Sequence, residues 1–495
     1  MDAQGIFDRR RAGILLHITS LPGEPGNGDL GADAFRFVDF LAAAGVSVWQ
    51  TLPINPTHED GSPYQCTSVH AGNPLLIGLD WLVERGLLEA DASPAAAEGA
   101  KAVRQQALQR AFESFRRRGT SDALCSAFGD FVSANDWWLA DYAMYGALKE
   151  VNGGLPWQAW PRPLRDRKPD ALASAGTLYA DVIARIRFEQ FVFFEQWHGL
   201  HEYARRLGVL LFGDMPIFVA SDSAEVWAGR DYFELSEDGE PRVVAGVPPD
   251  YFSATGQRWG NPHYNWENMA RSGFSWWLDR LRTQLGLYDL IRIDHFRGFE
   301  AYWEIPAYSE TAMEGRWVKA PGEALLARCA ETFGETLPLV AEDLGIITAE
   351  VEALRRRFRI PGMRILQFAF EGGPRNPYLP HNHAIDSVVY TGTHDNDTTL
   401  SWFEGLSADQ QGYVYDYLGR SGLPMPAALV QAAMASVARL AIVPMQDVLG
   451  LGRGHRMNTP GTLGDNWNWR FGWTQLCDEH VDLLAHQVRM YGRAA

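Results

Sequence analysis

The run LIRID at residues 290–294 is short, apolar and ends on a carboxylate. Strands that are apolar along their whole length belong to parallel sheets, because both faces of such a sheet are covered. Similar runs are GILLHI (13–18), VSVWQTL (46–52), VLLFGD (209–214), LPLVAED (337–343), RILQF (364–368), SVVYTG (387–392) and LAIVPM (440–445). Together they number eight. Eight parallel strands close into a (β/α)8 TIM barrel, which the sequence therefore predicts.

Helical patterns lie between most of these runs, as expected of βα units. They cover residues 32–44, 188–207, 276–286, 323–333, 348–358 and 427–440. The structural alternative is an open doubly wound sheet, but no glycine-rich phosphate loop follows the first run. We predict a single catalytic barrel over residues 1–495.

Two long insertions interrupt the predicted barrel, after the second and third strands. Residues 55–185 are predicted to form a mostly helical insertion, in which 92–118 is helical and 157–176 is proline-rich and irregular. Residues 218–274 form the second insertion, which is dense in aromatic residues. Its segment 247–266 is predicted to be a lid over the site. Its predicted flexible points are Gly256 and Gly260. Its predicted apolar faces are Tyr251, Phe252, Trp259 and Tyr264.

The composition is that of an ordinary globular protein, with 46% hydrophobic and 21% charged residues. The net charge of −17 argues against a nucleic-acid partner, since binding to a phosphate backbone needs clustered Lys and Arg. Four cysteines without a CxxC pair predict reduced thiols and a cytoplasmic protein. The first apolar run is interrupted by His17, which favours a strand over a signal peptide, and no run is long enough to span a membrane.

Four acidic residues stand where predicted strands end, at Asp214, Asp294, Glu342 and Asp395. Catalytic groups of barrel enzymes lie at these carboxyl-terminal ends. A single Asp at a strand end is more often a turn former or helix cap, but four together are hard to explain by capping.

Alternation along the strands assigns these acids different roles. Arg292 and Asp294 are two residues apart and so project to one face, where the guanidinium stabilises the ionised carboxylate that a glycosyl nucleophile requires. Glu342 and Asp343 point to opposite faces, so only one can face the site. Like charges from Asp294 and Asp395 are expected to raise the pKa of Glu342, as a general acid needs. Carboxyl groups about 5–5.5 Å apart would give a retaining double displacement.

Three segments around these acids resemble the catalytic segments of the amylomaltase (4-α-glucanotransferase) family, in the α-amylase superfamily. They are RIDHFRGF (292–299), AEDLG (341–345) and YTGTHDND (390–397). Further stretches that resemble the family are GILLHITSLPG (13–23), GDLG (28–31), SPYQCTSVHAGNPLLI (62–77), GDMPIFV (213–219), DYFSATGQRWGNPHYNW (250–266) and RMNTPGTLGDNWNWR (456–470). The resemblance therefore extends over nearly the whole chain.

The resemblance implies Asp294 as nucleophile, Glu342 as general acid/base and Asp395 as the carboxylate that stabilises the transition state. It implies that Arg292 orients Asp294 and that His394 and Asp214 bind the donor sugar. Trp259 and Tyr64, whose rings can stack on sugar, and Asn458 are further predicted substrate contacts. The segments after Asp214 (Met-Pro-Ile-Phe) and Asp294 (His-Phe-Arg-Gly) depart from the wider α-amylase pattern and favour amylomaltase. A C-terminal β-sandwich, usual in amylases, is not expected.

The implied reaction transfers a segment of an α-1,4-glucan, such as a maltooligosaccharide or amylose, to the 4-OH of another glucan or of glucose. One alternative is a hydrolytic α-glucosidase or α-amylase with the same carboxylates. Another is a non-catalytic carbohydrate-binding barrel, whose expected mark would be a missing Asp294 or Glu342. The histidines lack metal-ligand spacing, and no dinucleotide motif is present, so we expect no metal and no cofactor.

Overall fold

The computed structural model describes residues 3–23, 26–89, 99–249, 253–420, 422–462 and 464–495. Its strands in chain order are β1 (Arg11–Leu15), β2 (Val48–Gln50), β3 (Leu210–Pro216), β4 (Val243–Val247), β5 (Gln257–Pro262), β6 (Leu290–Asp294), β7 (Ala301–Pro306), β8 (Arg316–Lys319), β9 (Leu339–Ala341), β10 (Gly362–Ile365), β11 (Ser387–Tyr390) and β12 (Leu440–Pro444).

Eight of these strands close into a parallel barrel in the order β1-β12-β11-β10-β9-β6-β3-β2. Each coincides with one of the apolar runs of the sequence, so the predicted TIM barrel is confirmed. The strands pack closely where β1 passes its neighbours. A Cβ on Gly13 would lie 2.4 Å from Ile442 Cδ1 and 2.9 Å from Val48 Cβ. A larger residue there would push β1 away from β2 and β12.

The helices cover the barrel and build the insertions. In chain order they are α1 (Ala3–Ile6), α2 (Ala32–Ala43), α3 (Leu79–Glu84), α4 (Ala100–Arg116), α5 (Ala123–Val151), α6 (Arg162–Arg165), α7 (Pro169–Leu178), α8 (Ala180–Arg206), α9 (Ala224–Ala228), α10 (Trp266–Arg271), α11 (Ser275–Leu287), α12 (Gly322–Phe333), α13 (Ala349–Arg357), α14 (Thr399–Glu404), α15 (Ala408–Tyr417), α16 (Ala427–Ala435), α17 (Met445–Val448) and α18 (Asp478–Met490). None of them is long and apolar enough to cross a membrane within the described ranges.

Each predicted interstrand helix is present, with one clear difference in extent. The helix expected over 427–440 ends at Ala435, because Ser436 adopts an extended backbone that leads into β12. The Ser436 carbonyl accepts a hydrogen bond from the guanidinium group of Arg10 and another from that of Arg493, each at 2.7 Å. The chain therefore leaves the helix after Ala435 and continues into β12 at Leu440.

Helices α3–α7 lie between β2 and β3, where the sequence indicated a helical insertion. The expectation of irregular structure over 157–176 is wrong in its second half, which belongs to α7. Pro169 occupies the first turn of that helix, where its missing N–H has no partner to lose and its fixed φ suits the helix. Residues 92–98 of the predicted helix 92–118 lie outside the described residues, and α4 begins at Ala100.

A second, antiparallel sheet stands beside the barrel, with strand order β5-β4-β7-β8. Strands β4 and β5 belong to the insertion between β3 and β6, whereas β7 and β8 come from the connection after β6. The sequence analysis missed this sheet, because residues 301–319 form no continuous apolar run. The sheet carries Trp259 and the described part of the predicted lid toward the end of β6.

Candidate active site

Strands β3 and β6 bring two carboxylates to a single arginine at their carboxyl-terminal ends. Their register pairs Asp214 with Arg292 and Pro216 with Asp294. Arg292 is 4% exposed, and its Nη1 donates to Asp214 Oδ1 at 2.8 Å and Oδ2 at 2.6 Å. Its Nη2 lies 2.8 Å from Asp294 Oδ1. The sequence expectation that Arg292 lies beside Asp294 matches this contact.

Burial and the neighbouring charges have opposite effects on the pKa values of Arg292 and Asp214. Burial disfavours the charge of Arg292, but the attraction of Asp214 and Asp294 outweighs it and raises the pKa of Arg292. Burial raises the pKa of Asp214, and Arg292 opposes that rise. The guanidinium thus stays charged and fixes the orientation of both carboxylates.

Glu342 follows β9, the strand that pairs with β6 on its other side. Its Oε2 accepts a hydrogen bond from the His295 backbone N–H at 2.7 Å, and its Oε1 accepts one from Leu344 N–H at 2.8 Å. Burial raises the pKa of Glu342 to about 7, and the charge of Asp294 acts in the same direction. The expected direction of the shift is therefore found, but burial is the larger cause. A carboxyl group with this pKa can donate and accept a proton near neutral pH.

Asp343 points away from Glu342, as strand alternation requires. Its Oδ2 lies 3.4 Å from both Arg355 and Arg364, and its Oδ1 accepts a hydrogen bond from Met363 N–H at 2.7 Å. Asp343 therefore ties β9 to its surroundings, while Glu342 faces the barrel mouth.

Asp395 lies in the loop after β11 and is held by the segment 456–458. Asn458 Nδ2 donates to Asp395 Oδ1 at 2.7 Å, and Arg456 Nη2 donates to the Asp395 carbonyl at 2.8 Å. The Asp395 side chain remains 44% exposed, so it is open to a ligand. Asn458, expected to contact sugar, has its amide on Asp395 in this structure.

Aromatic rings line the side of the site that holds Asp214. Tyr64 donates its hydroxyl to Asp214 Oδ2 at 2.9 Å and stacks on His394 with 5.2 Å between ring centroids. Trp467 lies 5.8 Å from Tyr64 and 6.0 Å from His394. These faces are suited to the C–H surfaces of a sugar ring. Tyr64 and His394 were sequence candidates, and Trp467 lies in the stretch that resembles the family.

Trp259 approaches the site from the second sheet. Its ring meets His295 edge-on, with 4.9 Å between centroids, and Nε1 donates to Gln257 Oε1 at 3.1 Å. His295 directly follows Asp294, so Trp259 lies close to the predicted nucleophile. Tyr264, expected on the lid, is instead 1% exposed and donates its hydroxyl to the Ile217 carbonyl at 2.7 Å. That assignment is wrong, since Tyr264 belongs to the core. Tyr251 and Phe252 lie outside the described residues.

His17, for which the sequence favours a hydrogen-bonded structural or sugar-contact role, lines a cavity of about 20 Å³ together with His394. Burial lowers the pKa of His17 to about 3, so its ring is neutral. Its Nδ1 lies 3.2 Å from Thr51 Oγ1.

The described residues contain no group of three or more His, Cys, Asp or Glu side chains arranged to hold a metal ion. The four cysteines, Cys66, Cys125, Cys329 and Cys477, are free thiols.

Comparisons with known proteins agree with this geometry. Residues 16–475 match the family model described as 4-alpha-glucanotransferase. The 4-alpha-glucanotransferase of Thermus thermophilus is 51% identical over 485 residues, which cover 95% of this chain and 96% of that protein. The enzyme of the same name from Synechocystis is 47% identical over 99% of both chains. The solved amylomaltase from Streptococcus agalactiae in complex with acarbose matches with a TM-score of 0.94 and 36% identity, over 98% of this chain and 100% of that one. The chain belongs to the 4-alpha-glucanotransferase family.

Proposed function

We propose that the protein transfers a segment of an α-1,4-glucan to the 4-OH of another glucan or of glucose, by a retaining double displacement through a glycosyl–Asp294 intermediate. The observation that carries the proposal is the pairing of Asp294 with Arg292 beside Glu342, a carboxyl group with a pKa of about 7. One acid is set up to attack and the other to move a proton. The family, and the acarbose bound by the Streptococcus agalactiae relative, support an α-glucan as substrate.

In the first half of the reaction, Glu342 donates its proton to the glycosidic oxygen that leaves. An Asp294 carboxylate oxygen bonds to C1 of the donor sugar as the C1–O bond breaks. Asp395, oriented by Asn458, stabilises the positive charge that develops on the sugar ring. The products are a shortened glucan and a glycosyl ester of Asp294.

In the second half, the 4-OH of an acceptor glucan takes the place of the departed fragment. Glu342, now ionised, removes the hydroxyl proton while the acceptor oxygen bonds to C1. The ester bond to Asp294 breaks, which restores the free carboxylate. Two inversions at C1 leave the configuration of the product the same as that of the donor.

Transfer requires that water be kept from the ester intermediate. We assign this role to a lid formed by residues 247–266, whose described part is braced by the β7–β8 connection. The Thr255 carbonyl accepts a hydrogen bond from Ala312 N–H at 3.1 Å, and Arg258 Nη2 donates to the Ala307 carbonyl at 3.0 Å. The apolar ring of Trp259 lies beside His295, where it would help to exclude water from the place at which the acceptor binds.

Maltotriose as sole substrate separates the proposed transfer from its alternatives. We expect glucose together with a ladder of longer oligomers, resolved by chromatography over time. Conversion to glucose and maltose alone would support the hydrolytic alternative. Binding of maltotriose without any product would support a non-catalytic barrel.

The same assay tests the lid. Shortening the segment between residues 252 and 259 is expected to raise the ratio of hydrolysis to transfer several-fold, because water gains access to the intermediate. Tyr308→Ala is the matched control, since Tyr308 is 83% exposed on the neighbouring connection and should leave the ratio unchanged. An unaltered ratio in the shortened enzyme would remove the lid assignment but not the transfer reaction.

A further inference from the structure

The loop that carries His394 and Asp395 has both of its ends attached to one buried carboxylate. Thr391 follows β11 and Thr399 begins α14, and each is 0% exposed. Both hydroxyls donate to Asp447 Oδ2 at 2.6 Å. The Thr399 backbone N–H donates to Asp447 Oδ1 at 2.9 Å. Asp447 lies on α17, just after β12, so the neighbouring strand holds the loop in place.

Asp447 can hold both ends of the loop because each of its two carboxylate oxygens accepts hydrogen bonds. It is 4% exposed, and the interactions described for its side chain are these three donors. Burial raises the pKa of Asp447, and the three hydrogen bonds oppose that rise. The hydroxyl contacts of 2.6 Å lie in the range of about 2.5–2.7 Å that is typical of hydrogen bonds to an ionised carboxylate. An amide would offer one acceptor oxygen and would place an NH2 group against a donor.

The interior of the loop is braced separately from its ends. Asn396 Oδ1 accepts hydrogen bonds from Thr393 N–H at 2.8 Å and Thr393 Oγ1 at 2.9 Å. Gln367 Nε2 donates to the Asp397 carbonyl at 2.9 Å. A change at Asp447 would therefore loosen both ends of the loop at once. We expect part of that shift to reach Asp395, which Asn458 and Arg456 hold from the other side.

We propose that Asp447 is a positioning residue for the transfer reaction, which fixes both ends of the 391–399 loop and thereby places Asp395 and His394 against the donor sugar. This role rests on the proposed function, because Asp447 acts through Asp395. A displacement of about 1 Å in a group that stabilises the transition state can lower the rate about 100-fold.

Asp447→Asn is the direct test. We expect kcat with maltotriose to fall about 10- to 100-fold, with KM changed much less, because Asp395 contributes most in the transition state. Thr391→Val and Thr399→Val remove a hydroxyl at nearly constant shape and should each lower kcat. Thr391→Ser and Thr399→Ser keep the hydroxyl donor and should retain the kcat of the parent. A purely structural role would lower the folded fraction without this split between Val and Ser.

Asp289→Asn is the matched control. Asp289 is also buried and takes three partners, His201, Arg205 and the Leu211 N–H, but it precedes β6 at the opposite end of the barrel. This variant should lower the melting temperature while leaving kcat per folded molecule within about twofold of the parent. A kcat loss in folded Asp447→Asn no larger than in Asp289→Asn would overturn the inference. If Asp447→Asn does not fold, equal kcat in the Val and Ser variants would overturn it.

Asp395→Ala distinguishes failure of this inference from failure of the proposed function. If Asp395→Ala keeps its turnover, the catalytic assignment fails, and the role of Asp447 fails with it. If Asp395→Ala is inactive and folded Asp447→Asn has full kcat, the inference about Asp447 fails alone.

Discussion

Replacing Glu342 with Gln is expected to lower turnover of maltotriose by about 10²–10⁴-fold while leaving its binding largely intact. The amide cannot donate a proton to the departing glycosidic oxygen, and it cannot activate the acceptor hydroxyl. It keeps an acceptor for one of the two backbone N–H groups, of His295 and Leu344, that orient the carboxyl group. Steady-state rates and equilibrium binding of maltotriose measure the two quantities separately.

A donor whose leaving group needs no protonation isolates this role. With α-maltosyl fluoride, Glu342→Gln should form the glycosyl–enzyme at a rate much closer to that of the parent. The parent enzyme itself should lose kcat/KM with glucans as the pH rises through about 7, because Glu342 then loses the proton it must donate. Glu189→Gln, a buried carboxyl change in α8, serves as control and should retain turnover. Near-normal turnover of Glu342→Gln with maltotriose would refute the assignment.

Replacing Asp294 with Asn is expected to lower turnover at least about 10⁴-fold with both kinds of donor, because the neutral amide is a far weaker nucleophile toward C1 than the carboxylate. The guanidinium of Arg292 would keep its contact with Asp214, so the fold of the site should persist. The contrast with Glu342→Gln is the informative result. Proton transfer can be bypassed by the choice of leaving group, whereas loss of the nucleophile cannot.

The intermediate itself can be trapped to complete this test. Glu342→Gln incubated with α-maltosyl fluoride should accumulate a glycosyl ester, since its breakdown needs the missing base. Mass spectrometry of the digested protein should locate the added glycosyl group on the peptide that contains Asp294. An adduct on another residue, or none while turnover continues, would contradict the double displacement through Asp294.

The barrel could be predicted because its strands are buried on both faces and read as continuous apolar runs. LIRID and VLLFGD can each be recognised as a buried strand from their own composition and length. The placement of Asp214, Asp294 and Glu342 at or next to strand ends could be predicted for the same reason, because a strand end and the alternation of Arg292 with Asp294 are properties of one segment. Register between β3 and β6 then supplied the shared contact with Asp214.

What the sequence concealed depends on contacts between distant segments. The second sheet joins strands from two separate connections, and β8 has mostly exposed residues with no apolar run. Asp447 is about 50 residues from the loop it holds, and only the parallel pairing of β11 with β12 brings them together. The pKa of Glu342 was expected to rise from like charge, but enclosure by the fold contributes more. Burial of that kind is a property of the assembled barrel.

The guanidinium of Arg292 is shared between the carboxyl groups of Asp214 and Asp294. Three acidic side chains, Asp214, Asp294 and Glu342, thus lie around a single guanidinium. Because acidic side chains outnumber the guanidinium, we expect the barrel mouth to disfavour phosphorylated sugars and uronic acids. We expect neutral glucose polymers to bind without that penalty.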